Sequence, residues 1–139
     1  MRKIRVLHVI SSLEFGGAEN QLLQVTRELK KHGVEVKVVS LHSGSQKEEF
    51  ERGGISIFDL KQQPLFGKVI QLRRVISSWR PDIIHAHLPH AEIASTIANI
   101  PKKAPLIITR HVTGNYSHRW KRNYLKILSR IILKRSSGI

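Results

Sequence analysis

Cysteine is absent from the 139 residues of the sequence. Its absence excludes disulfide bonds and thiolate metal sites, and gives no indication of an oxidising compartment. Long hydrophobic runs are also missing. Residues 1–10 begin with basic residues and continue with an apolar run that is too short for a secretory signal peptide. No stretch approaches the roughly 20 apolar residues that span a bilayer. We therefore expect a cytoplasmic protein, at most peripheral to a membrane.

Acidic residues are absent after Glu92, and the chain as a whole has a net charge of +14. The basic residues of that same stretch are Lys102, Lys103, Arg110, Arg119, Lys121, Arg122, Lys126, Arg130, Lys134 and Arg135. So uneven a distribution predicts a polyanionic partner: a lipid surface, a nucleic acid or a phosphorylated substrate.

Apolar residues make up 40% of the sequence, enough for the core of one domain. Their patterns predict strands over residues 4–10, 34–41, 55–60, 82–87 and 106–111. Helices are predicted over residues 18–32, 47–52, 66–79, 89–99 and 118–135. This alternation predicts an α/β fold, a doubly wound, Rossmann-like parallel sheet with helices on both faces. We expect the strand order 3-2-1-4-5, with a ligand crevice where the order reverses, between strands one and four.

The first strand runs into a loop that contains two adjacent glycines, Gly16 and Gly17. Glycine lets the backbone approach a ligand closely, and the start of the next helix has free N–H groups. The loop therefore predicts an anion site, with a tight strand-to-helix turn as the structural alternative. It matches neither the GxGxxG pattern of dinucleotide-binding folds nor the GK[ST] of a P-loop.

Two histidines, His85 and His87, alternate at the end of the fourth strand and should share one face of the sheet. Their position at a carboxyl end favours a ligand-binding role over a purely structural one. Zinc is the alternative ligand, with His90 and His111 completing the set. We predict no metal, because no carboxylate or cysteine stands at a supporting spacing.

The fifth strand ends in Thr109, Arg110 and His111. A guanidinium and an imidazole at this position suit a phosphate or the hydroxyls of a sugar. We expect the glycine loop, the two histidines of strand four and residues 110–111 to open into one crevice along one rim of the sheet.

The last predicted helix is basic and amphipathic, because Trp120, Tyr124, Ile127 and Ile131 recur at helical spacing among cations. This pattern predicts contact with anionic lipid. The residues expected at the membrane surface are Arg119, Trp120, Lys121, Arg122, Lys126 and Arg130. The structural alternative is that the apolar side of this helix packs on the sheet.

With GGAE, HAH and TRH placed in order on strands one, four and five, the chain resembles the N-terminal domain of family 4 glycosyltransferases, which have the GT-B fold. The likeness covers essentially the whole chain. It is most marked in VLHVISSLEFGGAENQLLQVTRELKKHGVEVKVVSL, in RPDIIHAHLPHAEIAS and in PLIITRHVTG.

The resemblance implies that a sugar is transferred, with retained anomeric configuration, from a nucleotide diphosphate sugar to a glycan or lipid-linked acceptor. It implies no metal and no other cofactor. It makes His111 the catalytic candidate, beside the transferred sugar, and puts Glu19 and His87 on the acceptor side. Taken with the positions above, the candidate contacts to donor diphosphate and acceptor are Gly16, Gly17, Glu19, His85, His87 and Arg110.

Members of that family continue through a second Rossmann-like domain that holds the donor. Nothing in residues 1–139 matches that domain, so we expect one truncated domain, the acceptor-side half, as a fragment or as one subunit of a split enzyme. We predict negligible transferase activity for the chain alone.

Two other classes of protein are alternatives. A basic Rossmann-like module that binds nucleic acid or a membrane surface without catalysis would explain the charge. The sequence has no helix-turn-helix, zinc-finger or RNP motif, however, so we expect no nucleic-acid partner. A flavodoxin-like phospho-acceptor domain would need acidic residues after the first strand, where Ser11 and Ser12 stand.

Overall fold

The computed structural model describes residues 2–60 and 62–110, which form five strands and four helices. The strands are β1 (Arg5–Ser12), β2 (Glu35–His42), β3 (Ser56–Asp59), β4 (Ile83–His87) and β5 (Leu106–Thr109). The helices are α1 (Gly17–Lys31), α2 (Lys47–Arg52), α3 (Leu65–Trp79) and α4 (Pro89–Ala98). Each element lies within two residues of its predicted bounds. The helix predicted over residues 118–135 lies outside the described residues.

All five strands are parallel and follow the order β3-β2-β1-β4-β5. This confirms the predicted strand order and the Rossmann-like α/β class. The register of β1 with β4 pairs His8 with His85 and Ile10 with His87. The register of β4 with β5 pairs His87 with Thr109. The carboxyl ends of these three strands therefore lie side by side.

Alternate strand residues point to opposite faces of the sheet, and each face has its own apolar core. On the first face, Ile10 and Val38 pack with Leu22 of α1 and Phe50 of α2. The core of the second face joins strand residues to α3 and α4. Its members are Leu7, Val9, Val39, Leu41, Leu60, Leu72, Val75, Ile76, Ile84, Ala86, Ala91, Ala94, Ala98 and Ala104. Central strands covered on both faces explain why their sequences read as nearly continuous apolar runs.

Residues that favour sharp changes of direction mark the helix ends. Gly33, just after α1, has a φ of 77°, which glycine adopts at little cost. Arg80 takes up a left-handed conformation after α3, directly before Pro81. Pro89 is the first residue of α4, where its missing N–H costs nothing. Because α1 and α4 directly follow β1 and β4, their N-termini lie at the carboxyl edge of the sheet. None of the four described helices is long and apolar enough to cross a membrane.

Candidate functional site

The turn between β4 and α4 is held in a strained conformation at the carboxyl edge. Leu88 is the N-cap of α4 and has a φ of 75°, which costs a residue other than glycine on the order of 1–3 kcal/mol. One turn later, the Ala91 N–H donates to the Oγ of Ser11 at 3.2 Å, in a buried hydrogen bond. This contact ties the end of β1 to the first turn of α4. The backbone that follows His87 is therefore fixed against the neighbouring strand.

The diglycine loop forms the start of α1. Gly16 is the N-cap, with extended backbone, and Gly17 is the first helical residue. The buried Glu19 side chain lies against this start, because a Cβ on Gly16 would stand 2.5 Å from its Oε2. A Cβ on Gly17, by contrast, would meet nothing within 4 Å. A side chain at position 16 would have to displace the end of the Glu19 side chain, whereas the position of Gly17 is open.

The charge of Glu19 changes what this loop can bind. A carboxylate is stabilised near the N–H groups at a helix N-terminus, and it accepts hydrogen bonds from hydroxyl groups. The same carboxylate repels a phosphate placed directly beside Gly16. The geometry therefore favours sugar hydroxyls next to Glu19 over the anion site that the sequence alone predicted there.

His85 and His87 lie on the first face of the sheet together with a third imidazole, His8 of β1. His8 Nδ1 and His87 Nε2 are 3.1 Å apart, and His85 Nε2 lies 2.6 Å from Thr109 Oγ1, each a hydrogen-bond distance. The ring centroids of His85 and His87 are 4.0 Å apart. The shared face was predicted correctly. These three residues are called the histidine cluster below.

The expectation that both imidazoles open into a crevice is wrong. His8 and His85 are fully buried, and His87 is only 4% exposed. The reason is that β1 and β4 are central strands, so their side chains are covered on both faces. His85 is thereby placed to hold Thr109 and to support the ring of His87.

Burial also sets the charge of His8. Desolvation, and to a smaller extent the nearby His85, hold the pKa of His8 well below its usual value. The Nε2 atom of His8 is buried without a hydrogen-bond partner among the described residues. A proton there would add an unpaired charge to the core, which costs several kcal/mol. His8 is therefore neutral at physiological pH.

The ligand atoms of the histidine cluster lie within 4.8 Å of one another, so these are the described residues that could hold a metal ion. His90, which the zinc alternative included, is exposed at the start of α4 and is not part of this group. The group contains no carboxylate to offset a buried divalent charge. The ring nitrogens of His8 and His87 lie at hydrogen-bond distance from each other and His85 Nε2 is bonded to Thr109 Oγ1, contacts that fit hydrogen-bonded imidazoles better than a metal centre.

Comparison with known proteins identifies the family. Residues 15–139 match the model of Glycosyltransferase Family 4. The chain belongs to glycosyltransferase family 4. It is 27% identical over 124 residues to the GalNAc-alpha-(1->4)-GalNAc-alpha-(1->3)-diNAcBac-PP-undecaprenol alpha-1,4-N-acetyl-D-galactosaminyltransferase of Campylobacter jejuni, and the match covers 81% of this chain and 34% of that enzyme.

Solved structures share the fold of this family 4 chain. A glycosyltransferase from Rickettsia africae matches with a TM-score of 0.67 and 19% identity, over 89% of this chain and 34% of that one. The Anabaena protein HepE, solved in complex with UDP, matches with a TM-score of 0.67 and 22% identity, over 83% of this chain and 31% of that one. At these identities the likeness shows the fold alone. The family 4 chain spans about a third of the relatives named here.

Arg110 follows β5 and is engaged by an acidic partner in this family 4 domain. Its Nη2 donates to Glu92 Oε1 at 2.7 Å and its Nε to Oε2 at 3.0 Å. These hydrogen bonds, together with the opposite charges, lower the pKa of Glu92 and raise that of Arg110. Arg110 is therefore not a free cation as its position in the sequence predicts, because Glu92 already binds it.

The remaining predicted site residues of the family 4 chain lie outside the described residues. His111, the catalytic candidate, is the first of them. The predicted membrane contacts in the same segment are Arg119, Trp120, Lys121, Arg122, Lys126 and Arg130. Their roles stay predictions.

Sequence reasoning also missed His8 and Ser11 within the site. His8 interrupts the apolar run of β1, and it sits two residues from Val6 and from Ile10, both on the first face. A polar residue in a central strand, on the same face as His85 and His87 of the adjacent strand, is the signal that could have found it.

Proposed function

We propose that this family 4 chain is the acceptor-side half of a retaining glycosyltransferase, which transfers a sugar from a nucleotide diphosphate sugar to a lipid-linked or glycan acceptor. The observation that carries the proposal is the buried Glu19 carboxylate beside the diglycine start of α1, at the carboxyl rim of the sheet. An acceptor presents hydroxyl groups, and a fixed carboxylate is a strong partner for them.

The charge of the chain and the name of one relative support a lipid-linked acceptor. The Campylobacter relative is named for an acceptor joined through a diphosphate to undecaprenol. A net charge of +14 suits an acceptor that carries a diphosphate. The Anabaena structure was solved in complex with UDP, which supports a nucleotide diphosphate sugar as the donor.

We assign a role in this reaction to each candidate residue. Glu19 accepts a hydrogen bond from the acceptor, and the open backbone at Gly17 lets the ligands approach. His87 is nearly buried and hydrogen-bonded to His8, so it serves the acceptor side by fixing the end of β4 and not through an open contact. Arg110 contributes positive charge toward the donor diphosphate. His111 is assigned to act on the transferred sugar, as the family resemblance implies.

Binding of the acceptor is tested most directly by amide chemical-shift mapping on the 139-residue chain. The probe is a water-soluble, short-chain polyprenyl diphosphate oligosaccharide, compared with a UDP-sugar alone. We expect the acceptor analogue to shift the amides of Gly16, Gly17 and Glu19. Shifts confined to the opposite, amino edge of the sheet would overturn the proposal.

A matched pair of variants on α1 sharpens this test. Glu19→Gln removes the carboxylate at the rim and should weaken binding of the acceptor analogue about tenfold, because hydrogen bonds to charged groups are the stronger ones. Glu28→Gln makes the same chemical change at an exposed position on the same helix and should leave the affinity unaltered. Equal losses for both variants would contradict the assigned role of Glu19.

Transfer itself is tested by a donor-dependent assay on the purified chain. We propose that the donor is held by a domain outside residues 1–139, so the chain alone should show no turnover. Clear turnover by the isolated chain would refute the division into an acceptor half and a donor half.

A further inference from the structure

One residue of the connection between β2 and α2 binds both ends of the segment that forms the candidate site. Residues 14–19, called the site loop below, contain the diglycine and the carboxylate assigned to the acceptor. Gln46 is the N-cap of α2, and its backbone N–H donates to the carbonyl of Leu13 at 3.0 Å. Its side-chain Nε2 donates to Asn20 Oδ1 at 2.8 Å. Leu13 directly precedes the site loop and Asn20 directly follows it.

Gly44, in the same β2–α2 connection, lets the two backbones come into contact. A Cβ at this position would overlap the carbonyl carbon of Leu13 and the amide nitrogen of Glu14. Both of these atoms belong to the main chain and cannot swing aside as the end of a side chain can, so only glycine fits here without moving a loop. The first peptide of the site loop is therefore held by direct backbone contact.

The β2–α2 connection is itself attached to the core. Leu13 and Phe50 of α2 are fully buried in the same apolar cluster on the first face of the sheet. The carbonyl of Gln46 accepts hydrogen bonds from the N–H groups of Glu49 and Phe50 at 3.1 and 3.3 Å, which begin α2. The site loop is thus joined through Gln46 to a packed helix.

Glutamine is an unfavourable residue for so buried a position. Gln46 is 2% exposed, and its Oε1 atom is buried with no hydrogen-bond partner among the described residues. An unpaired buried amide oxygen costs free energy, which an apolar side chain of similar length would avoid. Within α2, which is wholly described, the side chain makes no capping hydrogen bond, so helix capping does not explain it. What the amide does provide is the hydrogen bond to Asn20.

We propose that Gln46 is a positioning residue of the candidate site, which holds the site loop in the conformation that the acceptor binds. Its backbone fixes the start of the loop at Leu13, and its side chain fixes the end at Asn20. The open backbone at Gly17 and the carboxylate of Glu19 are then in place before a ligand arrives, so binding does not have to order them. The identity of the ligand rests on the proposed function, whereas the fixing of the loop is a property of the free chain.

Gln46→Met separates this role from a purely structural one. Methionine has a similar length and fills the buried space, but it cannot donate to Asn20. We expect the free energy of unfolding, measured by urea denaturation, to stay the same or to rise, because an unpaired amide oxygen leaves the core. A loss of stability with no change in the site loop would mean that Gln46 only supports the fold, and would overturn the proposal.

Backbone order in the free chain is the direct measurement. The order parameters from ¹⁵N relaxation at Phe15, Gly16 and Gly17 should lie near about 0.85 in the wild type and fall toward about 0.6 in Gln46→Met. Gln24→Met makes the same chemical change at an exposed position on α1 and should leave them unaltered. Low order parameters in the wild type, or equal values in the wild type and Gln46→Met, would contradict the proposal.

Two substitutions of Asn20 test the hydrogen bond from the other side. Asn20→Asp keeps an oxygen that accepts from Gln46 Nε2, whereas Asn20→Ala removes it. We therefore expect the order parameters of the site loop to be retained in Asn20→Asp and lowered in Asn20→Ala. An equal loss of order in both variants would show that this hydrogen bond does not hold the loop.

Affinity for the acceptor analogue connects the loop to the proposed function. With the short-chain polyprenyl diphosphate oligosaccharide as the probe, Gln46→Met should bind about three- to tenfold more weakly than the wild type, because one neutral hydrogen bond is lost. Gln24→Met should bind as the wild type does. If the wild type binds and Gln46→Met has a less ordered loop but the same affinity, Gln46 does not position the site and the inference fails. If the wild type does not bind the analogue, the proposed function fails, and the order parameters still decide whether Gln46 fixes the loop.

Discussion

Glu92, the last acidic residue of the sequence, accepts two hydrogen bonds from the guanidinium of Arg110 at 2.7 and 3.0 Å. The pair links the first turn of α4 to the residue after β5, across the carboxyl edge of the sheet. Because Arg110 lowers the pKa of Glu92, the carboxylate stays ionised below the pH at which a glutamate usually takes up its proton. Arg110 can therefore serve an anionic ligand only in competition with Glu92.

Glu92→Gln removes this competition while keeping the shape of the side chain. We expect affinity for inorganic pyrophosphate to rise roughly two- to fivefold, in line with the modest strength of an exposed ion pair. Titration calorimetry at low salt measures it. Glu35→Gln is the matched control, because it removes the charge of a carboxylate that pairs with Arg5 and lies away from this site. An equal gain for both variants would show that the effect is general electrostatics and not release of Arg110.

The free energy of unfolding should decrease as the pH is lowered, because of His8. Its pKa is lowered by burial, so below about pH 6.5 the unfolded chain takes up a proton that the folded chain refuses. The free energy of unfolding contributed by this group is complete above pH 6.5 and declines as the pH falls, by up to about 1.4 kcal/mol per pH unit.

Urea denaturation at pH 8 and at pH 5.5 checks the role of His8. His8→Asn keeps a hydrogen-bonding group near His87 but cannot titrate, and it should reduce the difference in unfolding free energy between the two pH values. His32→Asn, at the exposed end of α1, is the matched control for the substitution itself. A pH dependence unchanged by His8→Asn would contradict this account.

Local patterns were sufficient to predict the fold. The continuous apolar strands, the helical spacing between them, and breakers such as Gly33 and Pro81 lie within short windows, so each element was placed within two residues. The site depended on pairings between distant segments. His8 meets His85 only through the β1–β4 register, and Arg110 meets Glu92 only through the packing of α4. Such pairings are set by tertiary structure, which no single segment encodes.

Thr109 should stabilise the fold through its hydrogen bond to the histidine cluster. Its Oγ1 lies 2.6 Å from His85 Nε2 in the core. Thr109→Val keeps the volume but removes this partner from a buried nitrogen, and should cost about 1–3 kcal/mol of unfolding free energy. Thr26→Val is the control, since the buried Thr26 hydroxyl donates to the backbone carbonyl of Leu23 within α1. Urea denaturation of both variants should show the larger loss for Thr109.

Two glycines of similar exposure should respond in opposite ways to alanine. Gly33 has a φ of 77°, so Gly33→Ala should lower the free energy of unfolding by about 1–2 kcal/mol. Gly17 is in the first turn of α1 with open space around it, so Gly17→Ala should be neutral or stabilising by up to about 1 kcal/mol. The informative result comes from combining stability with binding of the acceptor analogue. If ligands approach the backbone at Gly17, the methyl group added by Gly17→Ala weakens their binding although the fold is intact. Gly33→Ala, at the opposite end of α1, should lose stability and keep its affinity for the acceptor analogue. Unchanged affinity in Gly17→Ala would mean that this loop is only a turn.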